Sequence, residues 1–310
     1  MNAVLTPSIE TNRHFTEKNF DINQINDLLI DTSGTEHLLP FSIDVNTKFK
    51  LGNAITAEQK AFFDKYGFIH FKNVFHKDDI QKIKTELKEA HQQIISEEKL
   101  KINGVPLKYG YGLDGNLLIQ RLPFSSRYSA TLKKLVNGEA VKKLLAVFPN
   151  SRIGENEKDG VVSNHYVNKG GSNFKGMGWH TDGLRDIFYL QKPKPMLNVG
   201  IHLDDSPAKF GGLRLIPGTH NQSIWGMLFA KPYFVNHTPD ANEIAVETEE
   251  GDLTIHDGRL WHRAQAPQAG AKGERRVIYF PILTGKYQPK TEESKTPFYL
   301  RFMKNTNPFK

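Results

Sequence analysis

The sequence predicts a mainly β fold with buttressing helices, whose core is a double-stranded β-helix of the jelly-roll or cupin-like kind. Helical patterns come first, in residues 56–148, and short apolar runs punctuated by Gly and Pro follow from Val161 onward. Such runs are typical of an antiparallel sandwich or barrel, as in MLNVGIHL, GDLTIH and RRVIYFPIL. Because helices and strands do not alternate, their order argues against a parallel, doubly wound sheet.

Three helical segments and one strand are expected in residues 56–149. In TAEQKAFFDKYGFIHF, Thr56 can cap a helix, Gly67 can end it, and residues 68–71 suit a strand. Apolar residues at three- and four-residue spacing then predict a helix with one buried face: Ile80, Ile83, Leu87, Ala90 and Ile94. A third helical stretch runs from Ser129 to Phe148 and ends at Pro149.

The predicted domain organisation has three parts. Residues 1–55 are polar and irregular and form an amino-terminal extension, in which Ile22 to Ile30 has apolar spacing for a helix of about two turns. Residues 56–285 form one catalytic domain, long enough to bury a sizeable core. Residues 286–310 form a carboxy-terminal tail.

Composition limits both the chemistry and the setting. The chain has no cysteine, so disulfides and thiolate sites are excluded, and a metal must bind to His, Asp or Glu. The net charge of +7 is spread along the chain without a long basic block or a nucleic-acid motif. No apolar run has the length of a membrane helix, and the first residues lack a secretory pattern. We expect a cytoplasmic protein with a small-molecule substrate and neither nucleic acid nor membrane as a partner, whereas the oligomeric state stays open.

One short motif places two metal-binding side chains on the same side of the backbone. In GMGWHTDGL, His180 and Asp182 are two residues apart, so on an extended backbone both leave from one face. The segment GDLTIHDGRLWHRAQAP offers a third ligand, either His256 or His262. Two imidazoles and one carboxylate leave coordination positions open, as an iron(II) oxygenase requires.

These residues resemble the phytanoyl-CoA dioxygenase family of iron(II)- and 2-oxoglutarate-dependent oxygenases, over Thr56 to Leu283. Four segments carry the resemblance: TAEQKAFFDKYGFIHFKNVF, the W-H-x-D of WHTDG, IHLDDSPAKFGGLRLIPGTH, and the G-D-L with a following W-H. The resemblance implies an enzyme that uses iron(II), 2-oxoglutarate as co-substrate, and O2. It also implies that His180, Asp182 and His262 are the catalytic metal ligands, because the family's distal histidine lies eleven residues after the Gly of the G-D pair, here Gly251.

The resemblance further implies contacts to 2-oxoglutarate. An arginine on the strand after the distal histidine binds the far carboxylate in this family, and the candidates here are Arg275 and Arg276. Adjacent strand residues face opposite ways, and Arg275 is preferred because it shares a face with Tyr279. On the strand before the metal motif, Tyr166 and Asn164 are the expected further contacts.

The expected reaction is hydroxylation of an unactivated C–H bond in a small, anionic metabolite, with release of succinate and CO2. The related halogenases replace the ligand carboxylate by a small residue, so Asp182 argues against halogenation. Substrate-facing candidates are Arg121, Arg185, Trp225 and Arg259, and their arginines indicate a carboxylate or phosphate on the substrate.

Two other functions are compatible with the same motifs. One is a non-catalytic, metal-binding double-stranded β-helix that acts as a sensor or binding protein. The other is an iron dioxygenase that needs no keto-acid, in which Arg275 has a structural role. A second H-x-D motif, formed by His202 and Asp204, is expected to be a strand and a turn rather than a metal site.

Overall fold

The computed structural model describes residues 29–30, 36–37, 43–169, 176–189, 191–297, 300 and 307–309. The chain divides into two compact units, residues 1–44 and 45–310. In the first unit, Leu29–Ile30 pairs antiparallel with Glu36–His37. The helix predicted over Ile22 to Ile30 is therefore wrong at its last two residues, and residues 22–28 lie outside the described residues. A pattern of about two turns is too short to be stable as an isolated helix.

Most of the regular structure in the described residues is β-sheet. In chain order the strands are β1 (Leu29–Ile30), β2 (Glu36–His37), β3 (Lys48–Phe49), β4 (Phe68–Phe71), β5 (Lys101–Ile102), β6 (Val105–Pro106), β7 (Lys108–Tyr111), β8 (Leu117–Leu122), β9 (Arg152–Ile153), β10 (Val162–Lys169), β11 (Met177–His180), β12 (Met196–His202), β13 (Gly212–Leu215), β14 (Ile244–Ala245), β15 (Leu253–Asp257), β16 (His262–Gln265) and β17 (Lys272–Leu283). The helices are α1 (Ala57–Tyr66), α2 (Lys77–Ser96), α3 (Ala130–Val136), α4 (Glu139–Lys143) and α5 (Ile224–Phe229).

The second unit contains a larger and a smaller sheet. The larger sheet has the order β3-β4-β15-β12-β17-β10-β8-β7, with β9 also paired to β17. The smaller sheet has the order β11-β16-β13-β14, and β5 with β6 forms a separate ladder. The pairing of β3 with β4 is parallel, and the other strand pairs of these sheets are antiparallel. This is the mainly β architecture that the sequence predicts.

The helices α1 and α2 follow the sequence pattern. Thr56 Oγ1 accepts a hydrogen bond from the backbone N–H of Gln59, the Gln59 side chain accepts one from the N–H of Thr56, and Gly67 ends α1 at a left-handed φ of 78°. The five apolar residues that predicted a buried stripe on α2 are all buried. Within the described ranges, no helix is both long and apolar enough to cross a bilayer.

The helical stretch predicted from Ser129 to Phe148 is divided into α3, α4 and a 3-10 turn at Leu144–Val147. The break falls at Asn137 and Gly138, where Gly138 has an extended backbone with φ −80° and ψ 170°. Glycine has a low helix propensity, so the chain changes direction there at little cost. The apolar side of the stretch remains buried: Leu132, Val136, Val141 and Leu144.

Segments on both sides of the predicted 56–285 domain also contact it. The strand β3 joins the larger sheet from within residues 1–55. After β17, the Tyr287 hydroxyl donates to Asp186 Oδ1 at 2.6 Å, and the Lys290 N–H donates to the Asn156 carbonyl at 2.7 Å. The three-part division of the chain stays a prediction, and these contacts join the last segment to the turns that follow β9 and β11.

An aromatic cluster joins α1 to the edge of the larger sheet. Phe62 is fully buried and its ring centroid lies 5.0, 4.8 and 5.6 Å from those of Phe49, Tyr66 and Phe68. The rings meet edge to face, the arrangement that aromatic pairs prefer. Packing at Phe62 therefore fixes the helix against both β3 and β4.

We expect Phe62→Ala to lower the free energy of unfolding by about 3–5 kcal/mol, because it leaves a cavity where an aromatic ring was buried. Urea denaturation followed by circular dichroism measures this change. Phe229→Ala is the matched control, since Phe229 is 72% exposed, and its effect should stay near 0.5 kcal/mol. Similar losses in both variants would contradict the assignment of Phe62 to the core.

Candidate metal centre

The pairing of β11 with β16 brings the predicted ligands together. His180 is the last residue of β11 and lies directly opposite His262, the first residue of β16. The register shifts between Met177 and His180, and such an interruption of the ladder re-aims side chains. The potential ligand atoms of His180, Asp182 and His262 all lie within 4.8 Å of one another. His262 Nε2 is 3.7 Å from Asp182 Oδ2.

Each ligand histidine follows a buried tryptophan that faces the other way. Trp179 and Trp261 pack with Ile216 in one hydrophobic cluster. The indole N–H of Trp179 donates to the Thr238 carbonyl at 2.9 Å. Because successive strand residues point to opposite faces, these tryptophans turn the two histidines toward the space between the sheets.

The backbone at Gly178 has to approach another chain segment closely. A Cβ at Gly178 would lie 2.5 Å from the Phe234 carbonyl oxygen, so a larger residue would displace that segment. The Phe234 ring stacks on the His180 imidazole, with centroids 4.5 Å apart and planes at 22°. Glycine at this position therefore lets an aromatic ring cover one ligand.

Hydrogen bonds set the orientation of both imidazoles. His180 Nδ1 lies 2.9 Å from the Gly178 carbonyl, and His262 Nδ1 lies 3.0 Å from the Leu260 carbonyl. A carbonyl only accepts, so each Nδ1 carries the proton and each Nε2 keeps its lone pair for a metal. Burial lowers the pKa of His180 to about 3, which keeps this imidazole in the neutral form that metals bind.

The carboxylate is held in its ionised form and in one orientation. Burial opposes ionisation of Asp182, but His262 and Arg185 hold the pKa of its carboxyl below the ordinary value. Asn198 Nδ2 donates to Asp182 Oδ2 at 2.8 Å. Two imidazoles and one oriented carboxylate form a donor set that fits iron(II).

The triad lies at a cavity of about 550 Å³ that is lined by residues of both sheets. Arg275 also lines this cavity, and its guanidinium lies 4.0 Å above the Tyr166 ring, directly across the β10–β17 register. Arg275 is 8% exposed, and no carboxylate among the described residues lies within ion-pair distance of it. A buried arginine of this kind fits an anionic ligand. Asn164 lines the same cavity.

The neighbouring arginine has a different partner. Arg276 Nε and Nη2 donate to Asp204 Oδ2 and Oδ1 at 2.7 and 2.9 Å. Asp204 thus belongs to an ion pair, and His202 lies between the hydroxyls of Thr248 and Thr254 at 2.9 and 3.0 Å. The second H-x-D motif is structural, as its sequence context predicts.

The four predicted substrate-facing residues are divided between two places. Arg121 and Arg185 line the cavity. Trp225 is 70% exposed and stacks on Phe229 with centroids 5.7 Å apart, and it is not part of the cavity wall. Arg259 also lies off the cavity wall, because its guanidinium is bound to Asp257 at 2.9 and 2.7 Å. Trp225 and Arg259 were selected because they lie near the metal motifs in the sequence, and this criterion did not identify cavity residues.

Several residues at the cavity were missed or set aside in the sequence. His256 was weighed only as a ligand, yet its ring centroid lies 4.6 Å from that of His262, and both ring nitrogens are buried without a hydrogen-bond partner among the described residues. Asn198 binds the ligand carboxylate, and Tyr279 lines the cavity beside Arg275. The sequence signal for Asn198 was its place as a polar residue within an otherwise apolar strand, MLNVGIHL.

Comparison with known proteins identifies both a matching family and similar folds. The family described as phytanoyl-CoA dioxygenase (PhyH) matches residues 63–276. AviO1 from Streptomyces viridochromogenes Tue57 is 19% identical, with a TM-score of 0.52, over 78% of this chain and 99% of that chain. HygX from Streptomyces hygroscopicus, solved with nickel and 2-oxoglutarate bound, is 16% identical, with a TM-score of 0.53, over 77% and 90%.

SnoN, a non-heme alpha-ketoglutarate-dependent epimerase from nogalamycin biosynthesis, is 16% identical, with a TM-score of 0.51, over 74% of this chain and 84% of that chain. At such identities these likenesses concern the fold, and the predicted jelly-roll class is confirmed. No curated protein matches the chain by sequence.

We expect Asp182→Ala to weaken divalent metal binding by more than about 100-fold, because loss of a ligand should exceed the loss of an outer-shell partner. Asn198→Ala removes only the hydrogen bond to that ligand and should weaken binding by about 10-fold. Anaerobic calorimetric titration of metal-free protein with iron(II) measures both. Asp204→Ala is the matched control from the second H-x-D motif and should bind the metal like wild type. Equal losses at positions 182 and 204 would contradict the site.

Proposed function

The chain belongs to the phytanoyl-CoA dioxygenase family, and from that premise we propose that it is an iron(II)- and 2-oxoglutarate-dependent dioxygenase that hydroxylates a C–H bond of a small, anionic metabolite. One observation carries the proposal. A two-histidine, one-carboxylate set shares a cavity with a buried arginine that has no carboxylate partner among the described residues. Binding of 2-oxoglutarate needs two features. One is a metal with open coordination positions for its keto-acid end, and the other is a cation for its distant carboxylate.

His180, Asp182 and His262 would hold the iron, and Arg275 would bind the far carboxylate of 2-oxoglutarate. With both bound, the site supplies an oxidation in which O2 converts 2-oxoglutarate to succinate and CO2, and the second oxygen atom enters the substrate as a hydroxyl. The protein contributes position, charge and exclusion of water.

Three side chains organise the 2-oxoglutarate end of the cavity. The Tyr166 ring supports the Arg275 guanidinium from below and restricts its rotation. Burial raises the pKa of Tyr279, and Tyr166 adds to that effect, so the Tyr279 hydroxyl stays protonated and can donate a hydrogen bond. Arg275 and the Tyr279 hydroxyl together offer donors suited to a carboxylate.

Apolar residues line the part of the cavity near the ligands. Met177, Leu213, Tyr233 and Phe234 lie in the wall together with His180. Such a lining suits an apolar part of a substrate beside the ligands. Hydroxylation of a C–H bond needs an apolar carbon placed in this way.

The retained carboxylate at Asp182 supports hydroxylation over halogenation, whereas epimerisation and cyclisation depend on substrate placement. SnoN is described as an epimerase and SnoK as a carbocyclase. Product mass separates the outcomes, because hydroxylation adds one oxygen atom, epimerisation leaves the mass unchanged and cyclisation removes two hydrogen atoms. A product without added oxygen would overturn the hydroxylase assignment.

We expect Arg275→Ala to raise the Kd for 2-oxoglutarate by about 30-fold or more, because removal of one partner of a buried charge pair costs at least about 2 kcal/mol. Arg275→Lys keeps the positive charge but loses the two parallel N–H donors of the guanidinium. Its Kd for 2-oxoglutarate should lie between those of wild type and Arg275→Ala. Anaerobic titration of the iron(II) protein with 2-oxoglutarate, followed by its visible charge-transfer band, measures the Kd.

Arg276→Ala is the control for this titration, because Arg276 is the adjacent residue and binds Asp204 instead. Its Kd for 2-oxoglutarate should match wild type. No band in the wild-type protein would overturn the proposed function. A normal band with unchanged Kd in Arg275→Ala would leave a metal enzyme whose co-substrate clamp lies elsewhere.

A further inference from the structure

One buried side chain at the cavity belongs neither to the metal ligands nor to their hydrogen-bonded neighbours. His256 lies on β15, is 1% exposed and lines the cavity. Among the described residues it is the only histidine whose two ring nitrogens are both buried without a hydrogen-bond partner. Burial of an unpaired polar group costs free energy. A group of this kind calls for a partner that the protein chain does not supply.

His256 is close to the metal ligands but does not belong to the ligand set. Its ring centroid lies 4.6 Å from that of His262. The potential ligand atoms that all lie within 4.8 Å of one another come from His180, Asp182 and His262, and none comes from His256. A histidine beside such a set can still donate a hydrogen bond to a molecule bound at the metal.

His256 and Arg275 lie on the same face of the larger sheet. His256 pairs directly with Asn198 across β15 and β12, and both line the cavity. Pro281 of β17 lies opposite Asn198, and Tyr279 and Arg275 follow on the same face of β17 because they are an even number of residues away. A molecule that reaches from the metal to Arg275 therefore lies along the face that carries His256.

The apolar residues beside the ligands belong to another wall of the cavity. Met177 and Leu213 are residues of the smaller sheet, and Phe234 stacks on His180 from the segment between α5 and β14. An apolar part of the substrate suits that wall. The unpaired nitrogens of His256, on the larger sheet, suit the polar co-substrate instead.

We propose that His256 is a further 2-oxoglutarate-binding residue, whose ring N–H donates a hydrogen bond to the keto-acid end while Arg275 binds the far carboxylate. The inference rests on the proposed function, because it requires 2-oxoglutarate in this cavity. An imidazole carries at least one ring N–H, and the oxygens of a keto-acid accept hydrogen bonds. Contacts at both ends fix the orientation of the co-substrate along the sheet.

Stability separates this role from a structural one. His256→Leu removes two unpaired buried nitrogens and puts an apolar side chain in their place. The urea midpoint of the metal-free variant should therefore equal or exceed that of wild type. A histidine that the fold needs for its own hydrogen bonds would give a lower midpoint.

The binding test is anaerobic titration of the iron(II) protein with 2-oxoglutarate, followed by the charge-transfer band. We expect His256→Leu to raise the Kd by about 10-fold or more, because a buried hydrogen bond to a charged molecule is lost. His256→Gln keeps an N–H donor and should lie between wild type and His256→Leu. His91→Leu is the matched control, since His91 Nε2 is also buried without a partner among the described residues and His91 does not line the cavity. Its Kd should stay within about 2-fold of wild type.

Pyruvate shows which end of the co-substrate His256 contacts, because it has the keto-acid end without the far carboxylate. His256→Leu should weaken pyruvate and 2-oxoglutarate by a similar factor. Arg275→Ala should weaken 2-oxoglutarate alone. The iron(II) affinity of His256→Leu should match that of wild type, in contrast to Asp182→Ala.

Four outcomes would overturn the proposal: an unchanged Kd for 2-oxoglutarate in His256→Leu, weaker 2-oxoglutarate binding with unchanged pyruvate binding, loss of iron(II) binding, or lower stability in both His256→Leu and His256→Phe. If His256→Leu alone is destabilised, His256→Phe keeps a ring at this position and takes its place in the titrations. A normal band in the wild-type protein leaves the proposed function intact in each of these cases. No band in the wild-type protein would overturn both.

Discussion

The pairing of β11 with β16 is the constraint on which the candidate site depends. It sets His180 opposite His262 and joins two segments that are far apart in the sequence. A one-residue slip would turn both imidazoles away from the cavity, because side chains alternate between faces. The packing of Trp179 and Trp261 around Ile216 on the other side opposes such a slip. Hydrophobic burial on one face thus fixes the metal ligands on the other.

Burial gives each charge in the cavity a defined role. Asp182 remains ionised because His262 and Arg185 offset its loss of hydration, and Asn198 fixes one of its oxygens. Arg275 is supported only by the Tyr166 ring in the described part of the chain, so it retains its full capacity for an anion. In a cavity of low dielectric constant, an unmatched charge of this kind is a strong determinant of what binds.

Parts of the chain outside the two sheets hold the turn that follows the metal motif. The segment after β17 brings the Tyr287 hydroxyl to Asp186 and the Lys290 backbone N–H to the Asn156 carbonyl. Asp186 is fully buried and also accepts a hydrogen bond from Lys158 at 2.8 Å. A segment expected to be a tail therefore stabilises the turn that follows the metal motif. Contacts of this sort link the position of Arg185 to the integrity of the carboxy-terminal region.

The sequence by itself determined the fold class, the helices α1 and α2, and the fact that His180 and Asp182 share a face, because these follow from local periodicity, capping and strand alternation. Resemblance to a family was needed to prefer His262 over His256. Only the tertiary structure decided that Arg259 turns to Asp257, that Trp225 lies off the cavity, and that Tyr287 reaches Asp186. The Tyr287 contact joins residues distant in sequence, and strand register and backbone hydrogen bonds set which way Arg259 and Trp225 point, which no local pattern encodes.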